Sequence, residues 1–182
     1  MRQGGRRAPR RFQPRFGKAL AMLVMAGVAY LAYHAQPRRA QQPLETLEEG
    51  QYRVQRVVDG DTLVLEDHTR VRLIGANTPE SVKPNTPVQP WALEASAFTK
   101  QFVADGLIRL QFDQERIDKY GRLLAYVWVD DRMLNEELIR AGLAKWEPQY
   151  RYSSPMKARF RAAQQEAQQA GRGLWSSRPS EQ

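Results

Sequence analysis

Five short stretches of the chain have the pattern of apolar residues that is typical of β-strands, and in the first of them apolar and polar residues alternate around Val54. The predicted strands cover residues 52–58, 62–65, 69–74, 108–112 and 123–129. The turn dipeptides Asp59-Gly60 and Asp67-His68 separate the first three strands. Because short turns join antiparallel neighbours, these three strands are predicted to form a meander.

Apolar residues at spacings of three and four predict two longer helices. The apolar face of the first comprises Trp91, Ala95, Phe98 and Phe102. The face of the second comprises Met156, Phe160, Ala163, Ala167 and Ala170, and Gly171 closes that helix.

A third, shorter helix is predicted to begin at Asn135 and to end at Gly142. Asn135 has the side chain of an N-cap, and Glu136 and Glu137 would lie in the first turn, where the helix dipole favours carboxylates. Glycine is the usual residue just past a helix end. The order of elements predicts an α+β fold whose five strands could close as a small barrel.

Residues 19–35 form an apolar, uncharged stretch that predicts an N-terminal hydrophobic helix. The stretch is short for a membrane span and long for the apolar region of a cleaved signal. It follows a leader, residues 1–18, with seven basic side chains and no acid. One reading is a membrane anchor, with the leader cytoplasmic and the body periplasmic or extracellular. A protein secreted after signal cleavage and a cytoplasmic protein with an unusual tail are the alternatives.

The formal net charge of +8 belongs to the N-terminal region rather than to the body. From Gln41 onward the chain has 19 basic and 20 acidic residues. Anion binding by the body therefore depends on local clusters of charge. The polar, proline-containing residues 36–50 are predicted to be a linker, residues 51–176 the folded domain and residues 177–182 a tail.

Several charged and polar residues lie beside the predicted strands and could act together. Asp61 and the oxygens around Asn77 and Thr78 are hard ligands of the kind that Ca²⁺ takes. Arg72 and Arg122 carry planar guanidinium groups that match phosphate oxygens. A carboxylate near them, such as that of residue 80, could take a proton from water. Each residue alone is more typical of a surface ion pair. Together, a cation site, two phosphate-binding groups and a base are the parts needed to cut a phosphodiester, and this combination carries the hypothesis of a phosphodiesterase.

The chain resembles the thermonuclease, or micrococcal-nuclease-like, family. The resemblance lies in the segments "VVDGDT", "VRLIGANTPE", "EASAFTKQFV", "DKYGRLLAYV" and "NEELIRAGLAK", and it spans about residues 52–175. It implies a five-stranded OB-type barrel with three helices. Barrels of this type bind nucleic acid on one face.

The resemblance also implies roles for individual residues. Asp61 matches an aspartate ligand of Ca²⁺, and the carbonyl of Thr78 is expected near the ion. Asn77 stands where the best-known members have a second aspartate, so weaker Ca²⁺ binding or a broader choice of divalent metal is expected.

The remaining implied roles concern catalysis and substrate binding. Arg72 and Arg122 match phosphate-binding arginines, and Glu80 matches the catalytic glutamate. Tyr120 could donate a hydrogen bond to the substrate phosphate. The family has a Tyr-x-Tyr pair after the short helix that packs around the nucleotide base. Tyr150 and Tyr152 have this form but lie two residues further from the "GLAK" segment than in the family, so base contact and plain packing both remain open for them.

These residues predict a Ca²⁺-dependent, nonspecific endonuclease with a monomeric body that acts on DNA, RNA or both. A non-catalytic nucleic-acid-binding module tethered to the membrane is the alternative, and a membrane-tethered structural protein is a third. A non-catalytic binding module would not need to keep Asp61, Arg72, Glu80 and Arg122 together, and a structural protein would leave them unexplained. This chain has all four.

Overall fold

The computed structural model describes residues 47–81 and 87–177. The strands in this part of the chain are β1 (Gly50–Asp59), β2 (Thr62–Leu65), β3 (Arg70–Leu73), β4 (Ala76–Asn77), β5 (Leu107–Gln111), β6 (Leu123–Val129), β7 (Arg132–Met133) and β8 (Lys145–Trp146). The helices are α1 (Ala92–Phe102), α2 (Leu134–Arg140), α3 (Ser154–Gln169) and a 3-10 turn at Gly173–Trp175.

Five strands close into a barrel in the order β3-β2-β1-β5-β6, and parallel pairing of β3 with β6 completes the ring. β1 is long enough to serve two neighbours, since its first residues pair with β5 and its later residues with β2. Its register shifts at two places along β2, and irregularities of this kind bend a strand and help a small barrel to close. The predicted α+β fold, a five-stranded OB-type barrel with three helices, is confirmed.

The barrel interior is filled by the inward side chains of its strands. Leu63, Leu73, Ile108, Leu110 and Leu123 have almost no exposed surface. The α3 helix covers one end of the barrel through an aromatic cluster. This cluster consists of Tyr126, Tyr152 and Phe160, with ring centroids 5.9–6.5 Å apart. Edge-on aromatic contacts at this distance stabilise a core beyond their buried area.

Asn135 does not cap the short helix, so the prediction of its role was wrong. The N-cap of α2 is Met133, and no side chain caps it. Asn135 is fully buried, accepts a hydrogen bond from the Val127 amide at 3.0 Å and donates to the carbonyls of Ile74 and Ala125 at 2.9 and 3.1 Å. One amide side chain can meet both a donor and acceptors, and Asn135 uses this to join α2 to the barrel.

The predicted hydrophobic helix at residues 19–35 lies outside the described residues, as do most of the linker and most of the tail. No helix within 47–81 or 87–177 is both long and apolar enough to cross a bilayer. Membrane attachment and the location of the body therefore stay predictions from the sequence.

Candidate active site

The pairing of β2 with β3 brings Asp61 and Arg72 to one edge of the barrel. Thr62 of β2 pairs with Arg72 of β3, and the Leu73 amide donates to the Asp61 carbonyl at 3.0 Å. Asp61, in the turn between β1 and β2, therefore lies beside the backbone of Arg72. The chain then turns at Gly75, whose φ of 75° suits glycine, and returns through β4 with Asn77.

The guanidinium group of Arg72 is buried among oxygen atoms. Its Nη1 donates to the carbonyls of Leu73, at 3.0 Å, and Ala76. Its Nη2 donates to Asn77 Oδ1 at 2.9 Å and lies 3.1 Å from Asp61 Oδ2. A charge with 4% of the residue exposed needs such partners, because an unpaired buried cation is strongly unfavourable.

Asp61 and Asp59 hold the segment that carries Glu80. The Thr78 amide donates to Asp61 Oδ2 at 2.8 Å, and the Ser81 hydroxyl donates to Asp59 Oδ1 at 2.7 Å. The Glu80 amide donates to the side chain of Gln89 at 2.9 Å. These three contacts fix the backbone on both sides of Glu80, so its partly exposed carboxylate starts from a constrained position.

A cleft of about 440 Å³ opens beside Asn77 and Thr78. Its other walls come from Pro79, Gln89, Pro90, Lys145 and Leu174. The Thr78 hydroxyl is buried and has no hydrogen-bond partner within the described residues.

The tight loop at residues 118–122 orients Arg122. Asp118 Oδ1 accepts the amides of Tyr120 and Arg122, both at 2.9 Å. Its Oδ2 accepts Arg122 Nε at 2.7 Å and pairs with Nη2 at 2.6 Å. Gly121, at φ 72°, makes the turn. Tyr120 is 71% exposed, and Arg122 Cζ lies 5.4 Å from its ring centroid, so both side chains face solvent from one rigid loop.

Tyr150 connects the two arginine-bearing parts of the site. Burial raises the pKa of its hydroxyl, and the positive charges of Arg72 and Arg122 act against that rise. The negative charges of Glu147 and Asp118 add to it. All four charges are near enough to act on the hydroxyl, so Tyr150 lies in the neighbourhood of both arginines.

Tyr152 belongs to the core and is not available to a nucleotide base. It is 3% exposed, its hydroxyl accepts Trp146 Nε1 at 2.7 Å, and that hydroxyl donates to the Glu147 carbonyl at 3.0 Å. Burial raises its pKa to about 12. Stacking needs an open ring face, so the packing reading holds for Tyr152 and the base-contact reading is wrong.

The predicted site residues thus fall into three groups. Asp61, Arg72, Asn77 and Thr78 are in direct contact, while Arg122 and Tyr120 share the 118–122 loop with Tyr150 nearby. Glu80 follows on the segment tied to the first group.

The two predicted side-chain ligands of a divalent ion fit such an ion. Asp61 Oδ2 and Asn77 Oδ1 come from different elements, yet both contact the same cationic atom, Nη2 of Arg72, at 3.1 and 2.9 Å. A carboxylate and an amide oxygen that converge on one positive centre are the donor set that Ca²⁺ prefers. Within the described residues, no three His, Cys, Asp or Glu side chains form a metal-binding group.

Sequence reasoning missed three residues that the structure brings to the site. Gln89 holds the Glu80 amide, Asp118 orients Arg122, and Glu147 Oε2 lies 3.9 Å from Arg72 Nη2. Only Asp118 had a signal, as the first residue of the "DKYGR" segment. Glu147 reaches the site through pairing of β8 with β4, which no local pattern predicts.

The stability of the 118–122 loop is expected to depend on acid pH through Asp118. Burial alone would raise its pKa, but hydrogen bonds from the Arg122 amide and side chain and the Tyr120 amide hold the pKa below its usual range. A depressed pKa contributes stability above the unfolded value of about 3.9, and that stability is lost as pH falls through the folded pKa.

Asp118→Asn is therefore expected to lower the free energy of unfolding by about 2 kcal/mol at pH 7 and to flatten its decline below pH 4. Urea unfolding of both proteins between pH 7 and 3 measures this. Parallel acid declines in the two proteins would contradict it.

Similarity to known proteins points to one family. The family model described as "Staphylococcal nuclease homologue" matches residues 70–177, more than half of the chain. The chain is 43% identical over 140 residues to a thermonuclease of Staphylococcus hyicus, covering 74% of this chain and 80% of that protein. It is 46% identical over 130 residues to a thermonuclease of Staphylococcus intermedius, covering 68% and 75%. It is also 40% identical over 125 residues to the endonuclease YncB of Bacillus subtilis (strain 168), covering 66% and 59%.

Proposed function

The chain belongs to the staphylococcal nuclease homologue family, and from that premise we propose how this nuclease cuts nucleic acid. It hydrolyses phosphodiester bonds of DNA, RNA or both, without sequence preference, and depends on one divalent ion, with Ca²⁺ the first candidate. Asp61, Asn77 and the Thr78 carbonyl would hold the ion. The observation that carries this proposal is the meeting of Asp61 and Asn77 oxygens on one cationic atom.

Glu80 is the general base in this mechanism. Its carboxylate removes a proton from a water molecule as that water attacks phosphorus in line with the leaving oxygen. The hydrogen bonds from Thr78 to Asp61 and from Ser81 to Asp59 support this role, because they fix the backbone on both sides of Glu80. A base held in place loses little freedom when the reaction occurs.

The two arginines stabilise the negative charge that grows on the phosphate. Arg122 is pre-aligned by Asp118, and its side chain is 21% exposed, so it can donate to a phosphate oxygen without leaving its loop. Arg72 keeps its Nη1 contacts to two backbone carbonyls and exchanges its Nη2 contacts for phosphate oxygens. The bound ion supplies further neutralisation of the phosphate charge.

Tyr120 and Tyr150 contribute to substrate binding. Tyr120 is exposed beside Arg122, where its hydroxyl can donate to the same phosphate. Tyr150 is close enough to both arginines to feel their charges, which supports a role for it in contacting the nucleotide that flanks the cut. Readout of base identity needs a defined set of donors and acceptors, and none was predicted from the sequence.

Metal dependence is tested with the full chain on plasmid DNA, single-stranded DNA and RNA, with Ca²⁺ and with a Ca²⁺ chelator. We expect chelation to slow cleavage at least roughly tenfold, equivalent to about 1.4 kcal/mol of barrier, and added Ca²⁺ to restore it. Internal cuts, seen as loss of supercoiled plasmid, are the expected products. Cleavage at the same rate in chelator would contradict the metal-dependent mechanism.

A further inference from the structure

Glu147 is a third oxygen-bearing side chain around the cationic atom at the centre of the site. Arg72 Nη2 lies 2.9 Å from Asn77 Oδ1, 3.1 Å from Asp61 Oδ2 and 3.9 Å from Glu147 Oε2. The three oxygens come from β4, the β1–β2 turn and the residue after β8. Three separate parts of the chain therefore converge on a single positive centre.

The position of Glu147 is fixed by its own backbone. β8 pairs antiparallel with β4, with Asn77 opposite Lys145. The Glu147 amide donates to the Gly75 carbonyl at 2.9 Å, and its carbonyl accepts the Tyr152 hydroxyl at 3.0 Å. Both polar groups of the Glu147 backbone are thus anchored, and the side chain is only 20% exposed.

The Glu147 carboxylate acts on the centre of the site through charge. At 3.9 Å it lies beyond hydrogen-bond length from Arg72 Nη2. A contact of this length between exposed groups is worth little, but the partner here is 4% exposed, and charges separated from bulk water interact more strongly. The carboxylate therefore attracts any cation at the position of Nη2.

The neutral residue at position 77 explains why such a charge matters. Asn77 offers an oxygen without a negative charge, which leaves Asp61 as the charged member of the predicted ligand pair. Since ligand charge count tunes Ca²⁺ affinity over orders of magnitude, a site with Asp61 alone would bind weakly. A second carboxylate next to Asn77 would restore the charge.

We infer that Glu147 belongs to the divalent-cation site and supplies the negative charge that Asn77 lacks. This inference rests on the proposed function, because it assumes that Asp61 and Asn77 bind a divalent ion. In the free protein the same charge helps to hold Arg72 between Asp61 and Asn77. When an ion binds, Glu147 and Asp61 together balance its two positive charges.

The test is the affinity of the full chain for Ca²⁺, measured by isothermal titration calorimetry without nucleic acid. Glu147→Gln keeps the size of the side chain and removes its charge, and is expected to raise Kd about tenfold or more. Glu66→Gln removes the same charge from an exposed residue after β2, and is expected to stay within about twofold of the wild-type Kd.

Two further variants separate charge from structure. Asn77→Asp combined with Glu147→Gln moves the carboxylate across the site and is expected to return Kd to within about threefold of the wild-type value. Glu147→Asp keeps the charge and is expected to bind more tightly than Glu147→Gln. Thermal unfolding in chelator checks that each variant is folded.

The outcomes distinguish this inference from the proposed function. If the wild type binds Ca²⁺ and Glu147→Gln matches Glu66→Gln, the role of Glu147 is wrong while the proposed metal site stands. If the double variant stays as weak as Glu147→Gln, Glu147 does not act through charge, and the inference is overturned. If the wild type binds no divalent ion at all, both ideas are wrong.

Discussion

Glu80→Gln is expected to slow phosphodiester cleavage roughly 100- to 10,000-fold, the usual cost of removing a general base. Glutamine has the same shape as glutamate but cannot accept the proton of the attacking water. The surrounding contacts, from the Glu80 amide to Gln89 and from Ser81 to Asp59, involve other atoms and should persist. The measurement is kcat on single-stranded and plasmid DNA at saturating Ca²⁺.

Two controls make the result specific to proton transfer. Glu66→Gln should cleave at the wild-type rate, and Glu80→Gln should unfold at the same temperature as the wild type. A variant that cleaves within threefold of the wild type would show that another group is the base.

Asn135→Leu is expected to lower the free energy of unfolding by about 2–5 kcal/mol. Leucine fills a similar volume but leaves the Val127 amide and the Ile74 carbonyl without their partner, and each buried unsatisfied group costs about 1–3 kcal/mol. The Ala125 carbonyl keeps the amide of Ile74 at 3.1 Å and should be less affected. Urea unfolding with an unchanged m-value would measure the loss.

The matched control for Asn135→Leu is Gln165→Leu on the exposed side of α3. It also replaces an amide side chain by leucine, and a change within about 0.5 kcal/mol is expected for such a surface position. Equal losses in the two variants would show that the hydrogen bonds of Asn135 are not what stabilises the junction of α2 with the barrel.

The barrel strands could be predicted because their signal is local. Short apolar runs and the turns at Asp59-Gly60 and Asp67-His68 predict the first three strands and their meander, and the structure has β1, β2 and β3 there. Helix faces are equally local, and Phe160 and Ala163 of α3 are buried as the spacing indicates. The face predicted for α1 was only partly right, since its buried residues are Ala92, Ala95, Ser96 and Thr99, while Phe98 and Phe102 are half-buried. Barrel closure is not local, since β3 pairs with β6, where Val71 lies opposite Leu123, 52 residues later in the chain.

The site was less predictable because its residue types have more than one use. An asparagine at position 135 could cap a helix or bond to a neighbouring strand inside the core. The local sequence does not distinguish these roles, because the second depends on where β6 lies. Tyr150 and Tyr152 are two residues apart, yet one borders the arginines and the other packs against Phe160. The burial of Arg72 follows from the turn at Gly75, which folds acceptors of β4 over a guanidinium group that the strand pattern places only approximately.

The backbones of Gly142 and Gly173 are in close contact, and this contact joins the C-terminal segment to the end of α2. A Cβ at Gly142 would lie 2.2 Å from the Arg172 carbonyl oxygen, and the Leu174 amide donates to the Gly142 carbonyl at 2.8 Å. Proteolytic removal of the last dozen residues would therefore remove these contacts from the end of α2. Because Asn135 joins α2 to β6, and the first residue of β6 follows Arg122, the position of Arg122 would lose part of its support. A fusion partner should therefore be attached after residue 175 and not inserted between residues 172 and 175.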